Sequence, residues 1–209
     1  MGSSIGMARC TQSFQTPPTA KAIAWFARLG QTGKNRRRGE PEAMDGGGIM
    51  ELSVLTIADR ARVTALFYDV FTNEPWNDDW SDAAQLDAYI TDLIGQRNAL
   101  TLGYVDGDRL VGLSMGFIKH WYSGTEYYID EFCIDRRMQG RGIGTSFMKA
   151  IEQYLAKREI RQIFLQTERT APAYGFYLNR GFQELKDHVS FAKQIEGMKP
   201  APKDGEGGK

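Results

Sequence analysis

Two cysteines in 209 residues, Cys10 and Cys133, are too few for a disulfide framework, and neither stands at a zinc-ligand spacing. A reducing, cytoplasmic setting fits that scarcity, and no metal is expected. Long hydrophobic runs are also missing: with no stretch of about eighteen apolar residues, no membrane span is expected. Nor is there an excess of one charge, since 26 Lys and Arg balance 26 Asp and Glu. That balance conceals an asymmetry. Seven basic residues and no acid precede Glu40, and Glu42 and Asp45 follow it, leaving 19 basic and 23 acidic residues from Met50 onward, a net charge of −4. Nucleic-acid binding leaves a basic footprint, so the body of the chain argues against a nucleic-acid partner. A mildly acidic domain is compatible with a cationic one.

The remaining composition, 42% hydrophobic and 25% charged, is that of one globular domain. Its first 49 residues do not share that character. They run through turn-rich sequence such as Thr16-Pro17-Pro18-Thr19 and Asp45-Gly46-Gly47-Gly48, with one short apolar stretch, Ala22 to Leu29. Residues 1–49 therefore read as a disordered leader or N-terminal extension, artefactual or resembling an organellar transit peptide through Arg36-Arg37-Arg38 and the lack of acids. The globular domain is expected over 50–196 and a flexible tail over 197–209.

From Met50 the hydrophobic pattern alternates between two periods. Glu51 to Thr56 reads as a strand; Val63, Leu66, Phe67, Val70 and Phe71 then recur at helical spacing. A second helix is expected from an N-cap at Ser81, with Leu86, Tyr89, Ile90, Leu93 and Ile94 on one face and a stop at Gly95. Ala99 to Val105 and Arg109 to Tyr122 are strand-like and joined through Asp106-Gly107-Asp108, a hairpin signal; Glu126 to Ile134 follows as a third strand in series. Beyond it come a helix around Ile143 to Leu155, a strand from Gln162 to Thr167, a helix from Pro172 to Arg180 stopped by Gly181, and a last strand from Phe182 to Lys193. The order β-α-α-β-β-β-α-β-α-β implies a mixed α/β (α+β) domain, a mostly antiparallel sheet with helices on both faces.

The most informative segment is Arg137 to Phe147, RMQGRGIGTSF, which places Gly140, Gly142 and Gly144 where a strand gives way to a helix. Free N–H groups in a helix's first turn, reinforced by its dipole, bind phosphate oxygens, and a diphosphate is the natural guest. No Gly-Lys-Ser/Thr follows, so this is not a Walker A loop, and the glycine spacing fails the dinucleotide fingerprint.

Gln139-Gly140-Arg141-Gly142-Ile143-Gly144 resembles the [QR]-x-x-G-x-[GA] signature of the GNAT acetyltransferases, and the element order is similar to that family's. A second block, Ala171 to Phe182 (APAYGFYLNRGF), resembles the family's helix with a Tyr four residues before Gly-Phe, here Tyr177 before Gly181-Phe182. The resemblance covers roughly Glu51 to Lys193. It implies an acetyl-CoA-dependent N-acetyltransferase, with the CoA pyrophosphate on Gln139, Gly140, Arg141, Gly142, Ile143, Gly144 and Thr145 and the pantetheine along Phe132, Cys133 and Ile134. Relatives often have Asn seven residues before the Tyr; this chain has Thr170, whose hydroxyl would take over that hydrogen bond.

Acetyl transfer to an amine needs a neutral nucleophile, stabilisation of a developing oxyanion and a proton for the departing thiolate. The resemblance gives the last role to Tyr177, with Tyr174 three residues earlier as the fallback and a further cofactor contact. For the base, Asp130 and Glu131 stand side by side on a strand, so at most one points at the acceptor. Glu131 is the choice, on the face shared with Ile129 and Cys133. A backbone N–H near Phe132 or Cys133 is the expected oxyanion donor, and Cys133 itself reads as a buried structural thiol. In the family, the segment between the first two helices shapes the acceptor pocket, which here implies Glu74, Trp76, Asp78 and Trp80. Carboxylates and indoles suit a cationic amine such as a polyamine or an aminoglycoside. A non-catalytic acyl-CoA sensor and a peptide or protein N-acetyltransferase are the competing readings. Homodimers are frequent in the family, and a homodimer is left open because no stretch of the sequence marks an interface.

Overall fold

The computed structural model describes residues 50–193 and Ile195. The leader expected over 1–49 and the tail expected over 197–209 lie outside the described residues. Nine regular elements follow Met50: β1 (Met50–Leu55), α1 (Arg60–Phe71), α2 (Ala83–Gly95), β2 (Ala99–Asp106), β3 (Arg109–Trp121), β4 (Gly124–Ile134), α3 (Ile143–Ala156), β5 (Gln162–Leu165) and α4 (Pro172–Asn179). They form a sheet in the order β1-β2-β3-β4-β5, antiparallel throughout except for the parallel β4–β5 pair. Among the described residues, no helix is long and apolar enough to cross a membrane.

Local sequence explains where the elements begin. The Thr56 side chain accepts from Ala58 N–H while Asp59 reaches back to the Thr56 N–H, turning the chain out of β1 and into α1. At α2 the cap is Asp82, one residue beyond the expected Ser81, because its carboxylate reaches two N–H groups, those of Ala84 and Gln85. The helical apolar stripes then cover the sheet on both sides. Val63, Leu66, Phe67, Val70 and Phe71 of α1 and Leu86, Ile90 and Ile94 of α2 pack with Leu113, Met115 and Cys133 on one face. Phe147, Met148, Ile151 and Leu155 of α3 and Tyr177 of α4 pack with Leu102, Val111, Ile129 and Ile134 on the other.

The last expected strand, Phe182 to Lys193, does not form among the described residues. The segment instead turns back on itself, with His188 N–H donating to the Leu185 carbonyl. Side chains attach it to the body: Arg169 and Tyr174 donate to Glu184, and Gln166 to Ser190. Phe182 enters the core region, as expected, with its ring 5.3 Å from that of Tyr177.

Candidate active site

The site is organised by an irregularity in β4. Met115 of β3 faces Glu131, yet the next residue, Gly116, faces Ile129, so Asp130 is an extra residue on β4 and forms a bulge. Gly116 allows the strands to approach there, since a Cβ on it would lie 2.0 Å from the Tyr128 carbonyl oxygen. The bulge reverses the facing of everything after it. Ile129 belongs to the core under α3 and α4, whereas Cys133, four residues on, belongs to the core under α1 and α2. Glu131 therefore shares a face with Cys133 but not with Ile129, a correction to strict strand alternation.

At the same point β4 parts from β5. The parallel pairing runs from Glu126–Gln162 to Ile129–Leu165 and stops, while residues 131–134 stay paired to β3. Phe132, Cys133 and Ile134 consequently lie along a strand edge that β5 does not cover. The Phe132 ring stacks on Phe147 and Phe176, Cys133 is buried, and the Ile134 carbonyl accepts from Gln139 Nε2 at 2.9 Å. Burial, then the charges of Glu131, Asp135 and Asp69, pushes the Cys133 thiol pKa far up, which keeps it neutral.

The glycine loop opens α3 with its backbone bare. Gly140 and Gly142 have φ of +73° and +80°, and a Cβ on either would point into open space. Gly142 occupies the N-cap and has no side chain to cap with, and the first helical bond is Ser146 N–H to the Gly142 carbonyl at 3.1 Å. The N–H groups of Ile143, Gly144 and Thr145 precede that bond and form the helix's open first turn. Arg141 is exposed beside them.

Tyr177, on α4, is buried among Phe132, Phe176 and Phe182. Burial first, then the nearby charge of Glu131, raises its phenol pKa well above the ordinary value. Tyr174 turns elsewhere, donating to Glu184 at 3.1 Å, and Thr170 is exposed in the turn before α4.

On the other face of β4, Glu131 accepts a hydrogen bond from the hydroxyl of Tyr89, on α2. Burial pushes the Glu131 carboxyl up to about 8; the Tyr89 bond pulls it down, and the charges of Asp130 and Asp78 push it up again. Burial likewise raises Asp130 to about 6. Asp78 thus belongs to the same electrostatic cluster. Trp80 packs 5.0 Å from the Tyr89 ring and 5.4 Å from Phe67, its Nε1 buried without a partner; Trp76 packs on Phe71; Glu74 is exposed. Of the four residues expected on the acceptor side, Asp78 and Trp80 come to the Glu131 cluster, whereas Trp76 packs on the core and Glu74 faces solvent. Tyr89 was not among the expected site residues; its polar tip on an otherwise apolar helix stripe was the available signal.

The family comparison settles what class of protein carries this arrangement. The Acetyltransferase (GNAT) family matches residues 61–182, more than half of the chain. The chain belongs to the GNAT family. As a GNAT acetyltransferase it is an acyltransferase, and its fold recurs in solved relatives of low identity. An aminoglycoside acetyltransferase, meta-AAC0020 from an uncultured soil metagenomic sample, in complex with sisomicin, is 19% identical, with 69% of this chain and 97% of that one covered at a TM-score of 0.53. A ribosomal-protein-alanine N-acetyltransferase from Brucella melitensis biovar Abortus 2308 is 19% identical over 70% and 99%, TM-score 0.52. AAC(6')-Iy, in complex with the bisubstrate analogue CoA-S-monomethyl-acetylneamine, is 14% identical over 70% and 99%, TM-score 0.55. No curated protein matches the chain.

In this GNAT domain the loop is tied to β4 through Asp135. Its buried carboxylate receives Arg109 at 2.6 Å, Arg137 at 3.0 Å and the Arg137 N–H at 2.9 Å. Burial alone would raise its pKa, but hydrogen bonds from Arg137 and Arg109 outweigh it and hold the group at about 2. A depressed carboxylate stabilises the fold at pH above its unfolded value and loses that contribution as pH falls toward 2. Asp135→Asn should therefore cost about 2–3 kcal/mol in denaturant melts at pH 7, and the deficit should narrow as pH is lowered from 4 to 2.

Proposed function

We propose that this acetyltransferase moves the acetyl group of acetyl-CoA to a primary amine on a cationic small molecule of polyamine or aminoglycoside type. GNAT acetyltransferases use acetyl-CoA, and the open amides of 143–145 with the bare backbone at Gly140 and Gly142 fit a diphosphate. The uncovered edge of β4 at 132–134 is the place for the pantetheine arm. Acetyl-CoA supplies an activated acyl carbon and a thiolate leaving group.

The observation that carries the acceptor reading is the cluster around Glu131: the charged groups acting on its carboxyl, Asp130 and Asp78, are both acidic. An arriving ammonium relieves that repulsion and favours the ionised carboxylate. Glu131 then takes one proton from the ammonium, the neutral amine attacks and the C–N bond forms as the C–S bond breaks, Tyr177 gives its phenolic proton to the departing sulfur, and the second proton lost by the nitrogen restores the phenol. The base and acid approach β4 from opposite faces and meet at its bulged, uncovered end. Backbone N–H groups near Phe132 and Cys133 supply the oxyanion donor.

The test is thermal stability of the full chain with CoA, acetyl-CoA, ATP and NAD, followed by an acceptor screen. A ligand at about a hundred times its Kd adds about 2.7 kcal/mol, roughly 5–10 °C in Tm for a domain of this size. CoA and acetyl-CoA should produce that shift, and ATP and NAD should not. No shift with the CoA compounds would remove the donor assignment. Acetylation of a peptide panel in preference to polyamines and aminoglycosides would replace the acceptor class with a protein N-terminus or lysine.

A further inference from the structure

We propose that Tyr89 is a positioning residue, whose hydroxyl fixes the Glu131 carboxyl against the bulged end of β4 by donating a hydrogen bond to it. The proposal rests on the reading of Glu131 as the base and adds to it a second element, α2, on which the base depends.

The bulge at Asp130 turns Glu131 toward the helical layer, where a carboxyl would otherwise meet the apolar flank of α2. Leu86, Ile90 and Ile94 build that flank, and Tyr89 stands at its margin, half-buried, with a polar tip. The two halves of the Tyr89 side chain do separate things. Its ring packs 5.0 Å from Trp80 and 5.7 Å from Phe67, contacts a phenylalanine would make equally well. Its hydroxyl reaches 42 residues along the chain to Glu131 Oε1, and core packing alone does not require that bond. A carboxyl at the bulge, beyond the end of the pairing with β5, has several rotamers open to it, and a fixed donor selects one.

The bond also acts on ionisation. The groups that bear on Glu131 are Tyr89 from α2, Asp78 from the α1–α2 connection and Asp130 on β4 itself; the Glu131 charge in turn bears on Cys133 on β4 and Tyr177 from α4. Within that set Tyr89 is the group that pulls the Glu131 carboxyl toward its ionised form, against burial and two like charges. Its own phenol is held protonated, by burial first and then by Glu131, so it remains a donor throughout the working range.

The experiment is the pH profile of kcat/KM for Tyr89→Phe, Glu131→Gln and the double variant, with acetyl-CoA and the amine found by the screen. Because activity follows the ionised fraction of the base, loss of the Tyr89 donor should move the acidic limb upward by about one pH unit. Activity at pH 7 should fall about tenfold while the rate above the limb approaches that of the parent, with the KM for acetyl-CoA unchanged. In the Glu131→Gln background, Tyr89→Phe should cost nothing further. An unmoved limb in Tyr89→Phe, or losses that multiply in the double variant, would overturn the positioning role while leaving Glu131 as the base. If Glu131→Gln keeps both its rate and its limb, the base assignment fails and the Tyr89 proposal fails with it.

Discussion

Glu131→Gln should lower kcat/KM by about 10²- to 10³-fold and at the same time make the protein more stable. Both effects come from the same burial. A carboxyl whose folded-state pKa lies at about 8 is protonated at low pH in the native and the unfolded chain alike, so below its unfolded value it has no effect on stability. Between about 4 and 8 the unfolded chain has released the proton and the native one has not, and stability declines as pH rises. Gln has no charge to bury and still accepts the hydrogen bond from Tyr89. The variant should therefore melt close to the parent at pH 5 and roughly 10 °C above it at pH 8. Activity and melting temperature moving in opposite directions would be the mark of a base held in an unfavourable environment for its chemistry. A variant that loses activity and stability together would place Glu131 in a structural role. Unimpaired turnover would leave deprotonation to Asp130 or to water.

The helices and most strands were legible because their apolar spacing answers to one physical demand, burial of a face. Every residue of the α1 stripe, Val63, Leu66, Phe67, Val70 and Phe71, is buried. The hairpin at Asp106-Gly107-Asp108 was legible for a different reason, since Gly107 takes φ of +58° and the sequence offers glycine there. The loop was legible as a local device: backbone freedom at Gly140 and Gly142 followed by a helix start. What spacing could not reveal is the bulge at Asp130, because an inserted residue leaves the apolar pattern of β4 intact on each side and changes only its phase. The face of Glu131, and with it the partnership with Tyr89, depends on that phase. The last strand failed for another reason. Val189 and Phe191 alternate as a strand would, but they remain exposed in a segment held by side-chain links instead of ladder bonds. The indoles of EPWNDDW were ambiguous by nature, since a Trp that holds a cation and one that packs on Phe67 or Phe71 look alike in sequence.

Tyr177→Phe should reduce kcat by about 10²-fold while leaving the KM for acetyl-CoA and the melting temperature near those of the parent. The ring is embedded among Phe132, Phe176 and Phe182, and a phenyl group preserves every one of those contacts. What the substitution removes is one proton at one place. Burial and the neighbouring charge of Glu131 keep the phenol protonated through the neutral range, so on the proposed reading the group would still hold its proton when the thiolate leaves. Ionising Glu131 makes Tyr177 hold that proton more tightly, so the two groups cannot both be charged without strain. A base that has taken up the acceptor's proton is neutral again, and only then is the phenol's proton easier to give. If Glu131 is the base and Tyr177 the acid, that coupling orders the two steps, with deprotonation on one face of β4 before proton return on the other. In Tyr177→Phe the deficit should therefore shrink for an acyl donor whose thiol is more acidic, since a better leaving group needs no proton. A deficit that stays constant across thioesters of different thiol acidity would make the hydroxyl a structural or binding group and pass the acid's role to water.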